Sequence, residues 1–326
     1  MPKCGQFYDT TTGEWTQLPT GGLTTADITV SGVLCITFDT IKDSDDNLYI
    51  LAYTSISPYV QCIIKLTKSG IKTKTILSGG SFYFSTPRLK ISRNKSMLLF
   101  GFNSFPHKRG ILSVNIADLI DGTTIVPDEF FNTTQIGYTL PWEIYKDLYI
   151  WQLDGDGDLL NIYDYTAKTA ILGYPLSIIQ SLCTCCSSTN ILYSASAGKL
   201  QVVTLDNSTL HVATIDCAGI TASTKQMLID PFGDLIILTN SGTASTLLKY
   251  TVTGVLIDTK SLANPSYNLN IDTKGNYYYQ TALATFKIDK NTAQGQAFDS
   301  VVTKIRDTGN TGYGSNMTGY QLSVYN

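Results

Sequence analysis

Asp234-Leu-Ile-Ile-Leu-Thr-Asn-Ser-Gly-Thr-Ala-Ser-Thr-Leu-Leu-Lys-Tyr-Thr-Val-Thr-Gly254 carries the unit from which the fold is read. A polar turn gives way to a run, Leu235 to Leu238, that is apolar at every position. A strand of this kind presents apolar side chains on both faces, so it suits a place between two neighbouring sheets and not a sheet with one wet side. A loop follows, then Leu247 to Thr259, two strands joined by a tight turn at Gly254. Ile63 to Ile76 repeats that hairpin around Gly70, and its second strand is the more polar, with Lys72 and Lys74 as charges guarding an exposed edge.

The apolar run recurs along the chain as Asn47-Leu-Tyr-Ile-Leu, Ser96-Met-Leu-Leu-Phe, Asp147-Leu-Tyr-Ile-Trp, Asn190-Ile-Leu-Tyr and Asn276-Tyr-Tyr-Tyr. From Leu48 through Met97, Leu148, Ile191, Leu235 and Tyr277 the steps are 49, 51, 43, 44 and 42 residues. Such a period is the length of one propeller blade. A further step of 43 reaches Tyr320, where the chain is about to end. The hairpin missing from this seventh unit stands at the other terminus, in Gly5-Gln-Phe-Tyr-Asp-Thr-Thr-Thr-Gly13-Glu-Trp-Thr-Gln-Leu18. The expected fold is therefore all-β, a single-domain seven-bladed β-propeller over residues 1–326. Its last blade is closed by residues 5–18 together with 317–325, which covers edges that an open array leaves unpaired.

Asp272-x-x-Gly275-Asn-Tyr-Tyr and Asp230-x-x-Gly233-Asp-Leu-Ile resemble the turn-plus-strand signature of NHL-type propeller repeats, with a looser copy from Asp43 to Tyr49. The N-terminal Tyr8-Asp-x-x-x-Gly13-x-Trp15-x-x-Leu18-Pro resembles the outer hairpin of a kelch blade. The second to fourth blades depart from the NHL pattern, no kelch double Gly recurs, and the Trp-Asp pair of WD40 repeats is absent. The resemblance implies a propeller architecture over nearly the whole chain, and a fold shared by scaffolds, lectins and enzymes transfers no function.

Composition narrows the function classes. Charged residues make up 15% of the 326, against roughly 25% in an average soluble domain. The surface must be kept wet by hydroxyl and amide groups, and 43 Thr and 20 Tyr beside 4 Met favour strands over helices. A net charge of -3 and no basic run beyond Lys108-Arg109 offer no footprint for a phosphate backbone, so nucleic acid is not an expected partner. Residues 169–198 are uncharged, but Pro175, Gln180 and many Ser, Thr and Asn read as buried strands and not as a membrane span. Met1-Pro-Lys-Cys-Gly5 is not an apolar secretory core, so either the protein is not exported by that route or the signal has been removed, and a virion, an extracellular particle and the cytoplasm all stay open as compartments. The 7 Cys are scattered, and Cys183-x-Cys185-Cys186 reads as small apolar residues in a strand.

Asp154-Gly-Asp156-Gly-Asp158 places alternate carboxylates on a Gly-flexed loop, an arrangement able to converge on Ca²⁺. The same residues are what a hairpin turn between Tyr149-Ile-Trp-Gln-Leu153 and Leu159-Leu-Asn-Ile-Tyr163 requires, and no Glu follows at EF-hand spacing. The turn is the favoured reading, Asp154, Asp156 and Asp158 are the metal candidates, and no other cofactor is expected. Nucleophilic catalysis has only His107 and His211 to draw on, neither with an evident nucleophile in its segment. Four Asn-x-Ser/Thr matches, at Asn94, Asn132, Asn207 and Asn316, are near chance in so Thr-rich a chain.

The longer connections carry aromatics with few charges among them. Tyr83, His107, Arg109, Phe131, Trp142, Tyr267 and Tyr313 are the candidate binding residues, suited to packing on a protein partner or stacking on sugars. The leading expectation is a non-enzymatic interaction or structural module, with a composition similar to that of virion and phage tail components. A carbohydrate-binding propeller for host attachment comes second. A metal-dependent lactonase or hydrolase comes third, because the inner strands Val33-Leu-Cys-Ile-Thr-Phe38 and Leu89-Lys-Ile-Ser92 are mostly apolar.

Overall fold

The computed structural model describes residues 6–9, 14–17, 26–43, 45, 47–54, 56, 59–78, 82–83, 89–92, 94–104, 108–133, 142–145, 149–153, 159–164, 169–175, 183–186, 191–206, 209–221, 224–262, 264–272, 274–281, 284–289, 293–307 and 324–325. Two compact units emerge, one of residues 2–139 with 313–325 and one made chiefly of residues 140–312.

The first unit starts with an antiparallel hairpin, β1 (Gln6–Asp9) and β2 (Glu14–Gln17), in which Tyr8 lies opposite Trp15. Next comes an antiparallel meander of β3 (Thr29–Val30), β4 (Val33–Lys42), β5 (Leu48–Thr54), β6 (Gln61–Leu66) and β7 (Lys72–Leu77). In the following sheet β8 (Phe82–Tyr83) and β9 (Lys90–Ile91) both pair with β10 (Met97–Ser104), which pairs with β11 (Lys108–Asn115). A 3-10 turn at Ile116–Asp118 leads to β12 (Thr124–Ile125), and β13 (Asp128–Thr133) returns to β11.

The second unit is four antiparallel meanders of four strands each. They are β14 (Trp142–Tyr145), β15 (Tyr149–Leu153), β16 (Leu159–Asp164) and β17 (Thr169–Pro175); then β18 (Cys183–Cys186), β19 (Leu192–Ser196), β20 (Lys199–Asp206) and β21 (Thr209–Asp216). After these come β22 (Thr224–Ile229), β23 (Leu235–Asn240), β24 (Ser245–Tyr250) and β25 (Leu256–Leu262), and finally β26 (Ser266–Ile271), β27 (Tyr277–Thr281), β28 (Ala284–Ile288) and β29 (Val302–Asp307). The last strand, β30 (Val324–Tyr325), belongs to the first unit. It pairs with β1 in parallel, Tyr8 opposite Val324, where the pairs inside the meanders run antiparallel.

Each apolar run of the repeat falls at a corresponding strand, namely β5, β10, β15, β19, β23 and β27, although β15 begins at Tyr149 and β19 at Leu192. Side chains alternate across a strand, and both faces of β23 and β5 are used. Leu235 and Ile237 join Tyr193, Leu200 and Tyr250 in one core, whereas Ile236 and Leu238 join Leu269, Tyr277 and Ile288 in the next. Tyr49 and Leu51 likewise meet Leu98 and Phe100 on one side of β5, while Leu48 and Ile50 meet Cys62 and Ile64 on the other. The stretch 169–198 contributes β17, β18 and β19, and no helix among the described residues is long and apolar enough to cross a membrane.

The two Gly hairpins close identically. Thr67 Oγ1 accepts the N–H of Ile71 at 2.9 Å and Thr251 Oγ1 that of Val255 at 3.0 Å, with Gly70 and Gly254 at φ 87° and 82°. The edge of β7 differs from the sequence expectation. It is covered, because β12 adds to it in parallel, with Ile76 N–H donating to Thr123 O and Ser78 N–H to Ile125 O. Lys72 and Lys74 turn instead to the chain ahead of β4, Lys72 to Asp27 at 2.8 Å and Lys74 to Thr29 O at 2.6 Å. A backbone edge left open costs its hydrogen bonds unless water or another strand supplies them.

Candidate functional site

The turns that precede β5, β23 and β27 share one aspartate-centred design. Asp272 Oδ1 accepts the N–H groups of Lys274 and Asn276 at 2.9 and 2.8 Å, and its Oδ2 accepts Asn276 Nδ2 at 2.6 Å and the Tyr278 hydroxyl at 3.1 Å. Asp43 repeats the set with Asp45 N–H at 2.8 Å, Asn47 N–H and Nδ2 at 2.9 Å each, and Tyr49 hydroxyl at 3.0 Å. Burial pushes the Asp43 carboxyl up, but the donors of Asn47, Tyr49 and Asp45 outweigh it and hold the group below the ordinary carboxylate range. Tyr49 moves the other way, raised first by burial and then by its bond to Asp43.

Asp230 keeps half of this design. Its Oδ1 accepts Phe232 N–H and Asp234 N–H at 2.9 Å each. The position of Asn47 and Asn276 is here Asp234, an acceptor with nothing to give, and the position of Tyr49 and Tyr278 is Ile236. Two donors are lost and a second negative charge is gained.

Lys249 of β24 compensates. Its Nζ stands 3.2 Å from Asp230 Oδ2 and 3.2 Å from Asp234 Oδ2, with all three side chains at 0% exposure. Tyr277, from β27 of the next sheet, donates its hydroxyl to Asp230 Oδ2 at 2.9 Å and receives Lys249 Nζ at 3.1 Å. Burial first, then the Asp230 charge, raises the Tyr277 hydroxyl far above its usual range, so it stays a neutral donor. Gly295 N–H adds a bond to Asp234 Oδ2 at 2.7 Å. The ammonium lies 5.7 Å from the Tyr277 ring centre and 6.0 Å from that of Phe298, and these rings meet edge to face at 5.3 Å. Asp234 Oδ1 is buried without a partner.

This constellation is the most charged buried place among the described residues. Its chemistry is cohesive: with no solvent exposure, neither carboxylate nor the amine can meet a substrate. The cluster links β23 and β24 to β27 and to the chain at Gly295. Sequence reasoning passed over it, although two signals were present, an Asp where two sister turns have Asn and a Lys inside the apolar Leu247-Leu-Lys-Tyr250. The sister strand β6 has Lys65 in register with Tyr49, but there the lysine is only half-buried and its Nζ lies 5.8 Å from the Tyr49 ring centre.

The residues singled out in the sequence fall elsewhere. Tyr83, Arg109 and Phe131 lie on β8, β11 and β13 of a single sheet, where Asn103 is opposite both Tyr83 and Arg109, and Phe131 is opposite Ile111. Trp142 lies on β14 opposite Gln152, and Tyr267 on β26 where the register to β27 shifts between Ser266 and Asn268. These five occupy strands and not connecting loops. His107, Tyr313, Asp154, Asp156 and Asp158 lie outside the described residues, the three aspartates between β15 and β16, which pair antiparallel with Leu153 opposite Leu160. Among the described residues no group of three or more His, Cys, Asp and Glu is arranged to hold a metal ion. His211 is an exposed residue of β21, and Cys35, Cys62 and Cys217 are buried free thiols.

No protein-family model matches the chain, and no curated protein matches it. Solved structures do. Virginiamycin B lyase from Staphylococcus aureus aligns with a TM-score of 0.59 at 11% identity, covering 82% of this chain and 83% of that one. A chain of the mitotic checkpoint complex aligns with a TM-score of 0.58 at 11% identity, covering 85% of this chain and 79% of that one. Both are propellers, and at such identity the likeness concerns the backbone alone: this chain has the β-propeller fold.

Proposed function

We propose that the chain is a non-enzymatic interaction module, a stiff propeller that presents its surface to a protein partner or a particle assembly as a structural component. The observation that carries this reading is the sealed Lys249 cluster. Reactive side chains that an enzyme would hold at a pocket are here at 0% exposure and committed to tying sheets together. Stiffness of that kind serves display, because a preorganised surface loses little freedom on binding. The chain as a whole is poor in charge and rich in Thr, Tyr and Asn, a composition similar to that of virion and phage tail proteins, which makes a virion or tail component the specific form proposed.

The test is recovery from the native source. Density-gradient fractionation of that material is expected to place the protein with particles or a stable complex, with one partner in fixed stoichiometry by mass spectrometry. Recovery as a free monomer that hydrolyses ester or lactone probes, binds sugars on a glycan array, or carries stoichiometric Ca²⁺ or Zn²⁺ would overturn the reading.

A further inference from the structure

Among the described residues β21, Thr209-Leu-His-Val-Ala-Thr-Ile-Asp216, pairs only with β20 and forms the outer edge of its sheet. His211, Val212, Ala213 and Thr214 are all exposed, Val212 at 39%. The direction of its backbone groups follows from the turn beyond it. Cys217 N–H donates to Gly198 O at 2.7 Å, in the same register that sets Asp216 opposite Lys199. In an antiparallel ladder alternate residues turn both backbone groups to the same side. Residues 211, 213 and 215 therefore bond to β20, and Leu210, Val212 and Thr214 aim their N–H and C=O groups outward.

Among the described residues several other outer edges carry a defence. β7 is covered by β12. β25 carries Asp258 and Lys260, which accept Phe298 N–H and donate to Ser300 O respectively. β29 carries Lys304 and Arg306, β13 carries Asp128 and Glu129, β2 carries Glu14, and β17 ends on Pro175. Charges, Pro and coverage are the usual devices against edge pairing. From Thr209 to Ile215, β21 has none of them among the described residues, and its one charge, Asp216, stands at its end.

We infer that β21 is the surface on which a second copy of this chain adds by antiparallel strand pairing. The strand fits itself. A twofold axis normal to the sheet pairs residues that share a face, and centred on Val212 it sets Val212 against Val212, His211 against Ala213, Leu210 against Thr214 and Thr209 against Ile215. The same axis brings the outward-bonding residues 210, 212 and 214 opposite one another, giving about six backbone hydrogen bonds. No like charges meet, because Asp216 lies beyond the paired stretch and leans on Lys199 at 3.4 Å. Cross-strand pairs of β-branched and apolar residues are favourable, and the self-matched patch makes the contact closed and isologous. The pairing of β12 on β7, although parallel, shows an outer edge of this chain closed by an added strand.

Sedimentation equilibrium from about 10 µM to about 1 mM tests this. For a small interface of this kind, self-association falls in that concentration range. The weight-average mass is expected to rise from 35.6 kDa toward twice that value. Val212→Pro removes an outward N–H at an edge position where Pro is tolerated, and Val212→Lys places two cations face to face. Each is expected to raise the dissociation constant at least about tenfold with an unchanged circular dichroism spectrum, so the failure of either one to fold leaves the other decisive. Val255→Lys, at an exposed residue just ahead of β25, is expected to associate as the parent does. A parent that stays monomeric to 1 mM, or a dimer indifferent to both Val212 substitutions, would overturn the proposal. So would loss of the dimer in Val255→Lys alone.

Discussion

Replacing Lys249 by Met keeps the volume of the side-chain stem and removes the charge that holds Asp230 and Asp234 together. After the change Asp230 still accepts Phe232 N–H, Asp234 N–H and the Tyr277 hydroxyl, while Asp234 retains only Gly295 N–H. Two carboxylates are then left at 0% exposure without a counter-charge. Breaking a buried ion pair by removing one partner costs about 3–5 kcal/mol, a large share of the roughly 5–15 kcal/mol by which a domain is stable. Urea unfolding followed by tryptophan fluorescence reads this as a midpoint lowered by about 1–2 M, for a slope near 3 kcal/mol per M. The second change is Asp234→Asn in the Lys249→Met background. It rebuilds the sister turns, in which an Asn amide donates to the central Asp at 2.9 and 2.6 Å, and is expected to recover about half of the loss. A loss under about 1 kcal/mol or a double variant no better than the single one would refute the reasoning.

Three further outcomes are expected. Ile236→Ala and Ile237→Ala, adjacent in sequence, should each cost about 2–5 kcal/mol in urea unfolding, because the two residues fill separate cores; a strand with one wet face would lose stability at only one of them. Tyr49→Phe removes a donor to the Asp43 carboxylate and should cost about 1.5–3 kcal/mol near neutral pH. Asp43 contributes stability above the unfolded carboxylate pKa and loses it as pH falls through its depressed folded value, so acid unfolding of the Tyr49→Phe variant should begin at higher pH than in the parent, and an unmoved acid midpoint would count against the bond. Gly254→Ala puts a methyl group into Ile215 at φ 82°, whereas Gly242→Ala at φ 92° meets nothing within 4 Å. Thermal melts should show the first lowered by at least several degrees more than the second, since the conformational strain, about 1–2 kcal/mol, is common to both.

The sequence disclosed most of the architecture because the architecture depends on a local rule repeated. A run such as Leu235 to Leu238 is apolar at consecutive positions only if both faces are buried, and a step of about 43 residues returns the chain to the same place in the next sheet. The Gly hairpins were legible for the same reason, since φ near +85° is free of steric cost for Gly alone. The covering of β7 was not legible. β12 is two residues long and its pairing partner lies 48 positions away, so no periodicity announces it. Nor was the Lys249 cluster, whose members are set by register: Lys249 faces the Asp230 turn because it pairs with Ile236, and Tyr277 reaches the same carboxylate from another sheet. Aromatic candidates such as Tyr83, Phe131 and Trp142 read as loop residues in the sequence because turn residues flank them, whereas backbone pairing extends the strands through them.

The departures at the Asp230 turn are best understood as one coupled change. Asp at position 234 in place of Asn would by itself set two carboxylates against each other inside a dry core, and Ile at 236 in place of Tyr would by itself leave Asp230 Oδ2 short of a donor. A lysine two strands along and a tyrosine one sheet away answer both deficits at once, and in doing so convert a bond that was internal to a turn into one that spans two sheets. In the Asp43 and Asp272 turns the aspartate is satisfied within seven residues of chain and, among the described residues, bonds to no neighbouring sheet. At Asp230 the same aspartate depends on Tyr277 and its neighbour Asp234 on Gly295, 47 and 61 residues away, so local order in the turn and docking of the two sheets become a single cooperative event. It follows that the Lys249→Met variant should lose hydrogen-exchange protection in β23, β24 and β27 together, with β5 and β6 unchanged. Loss confined to the 230–234 turn would mean that the cluster closes a loop and does not join sheets.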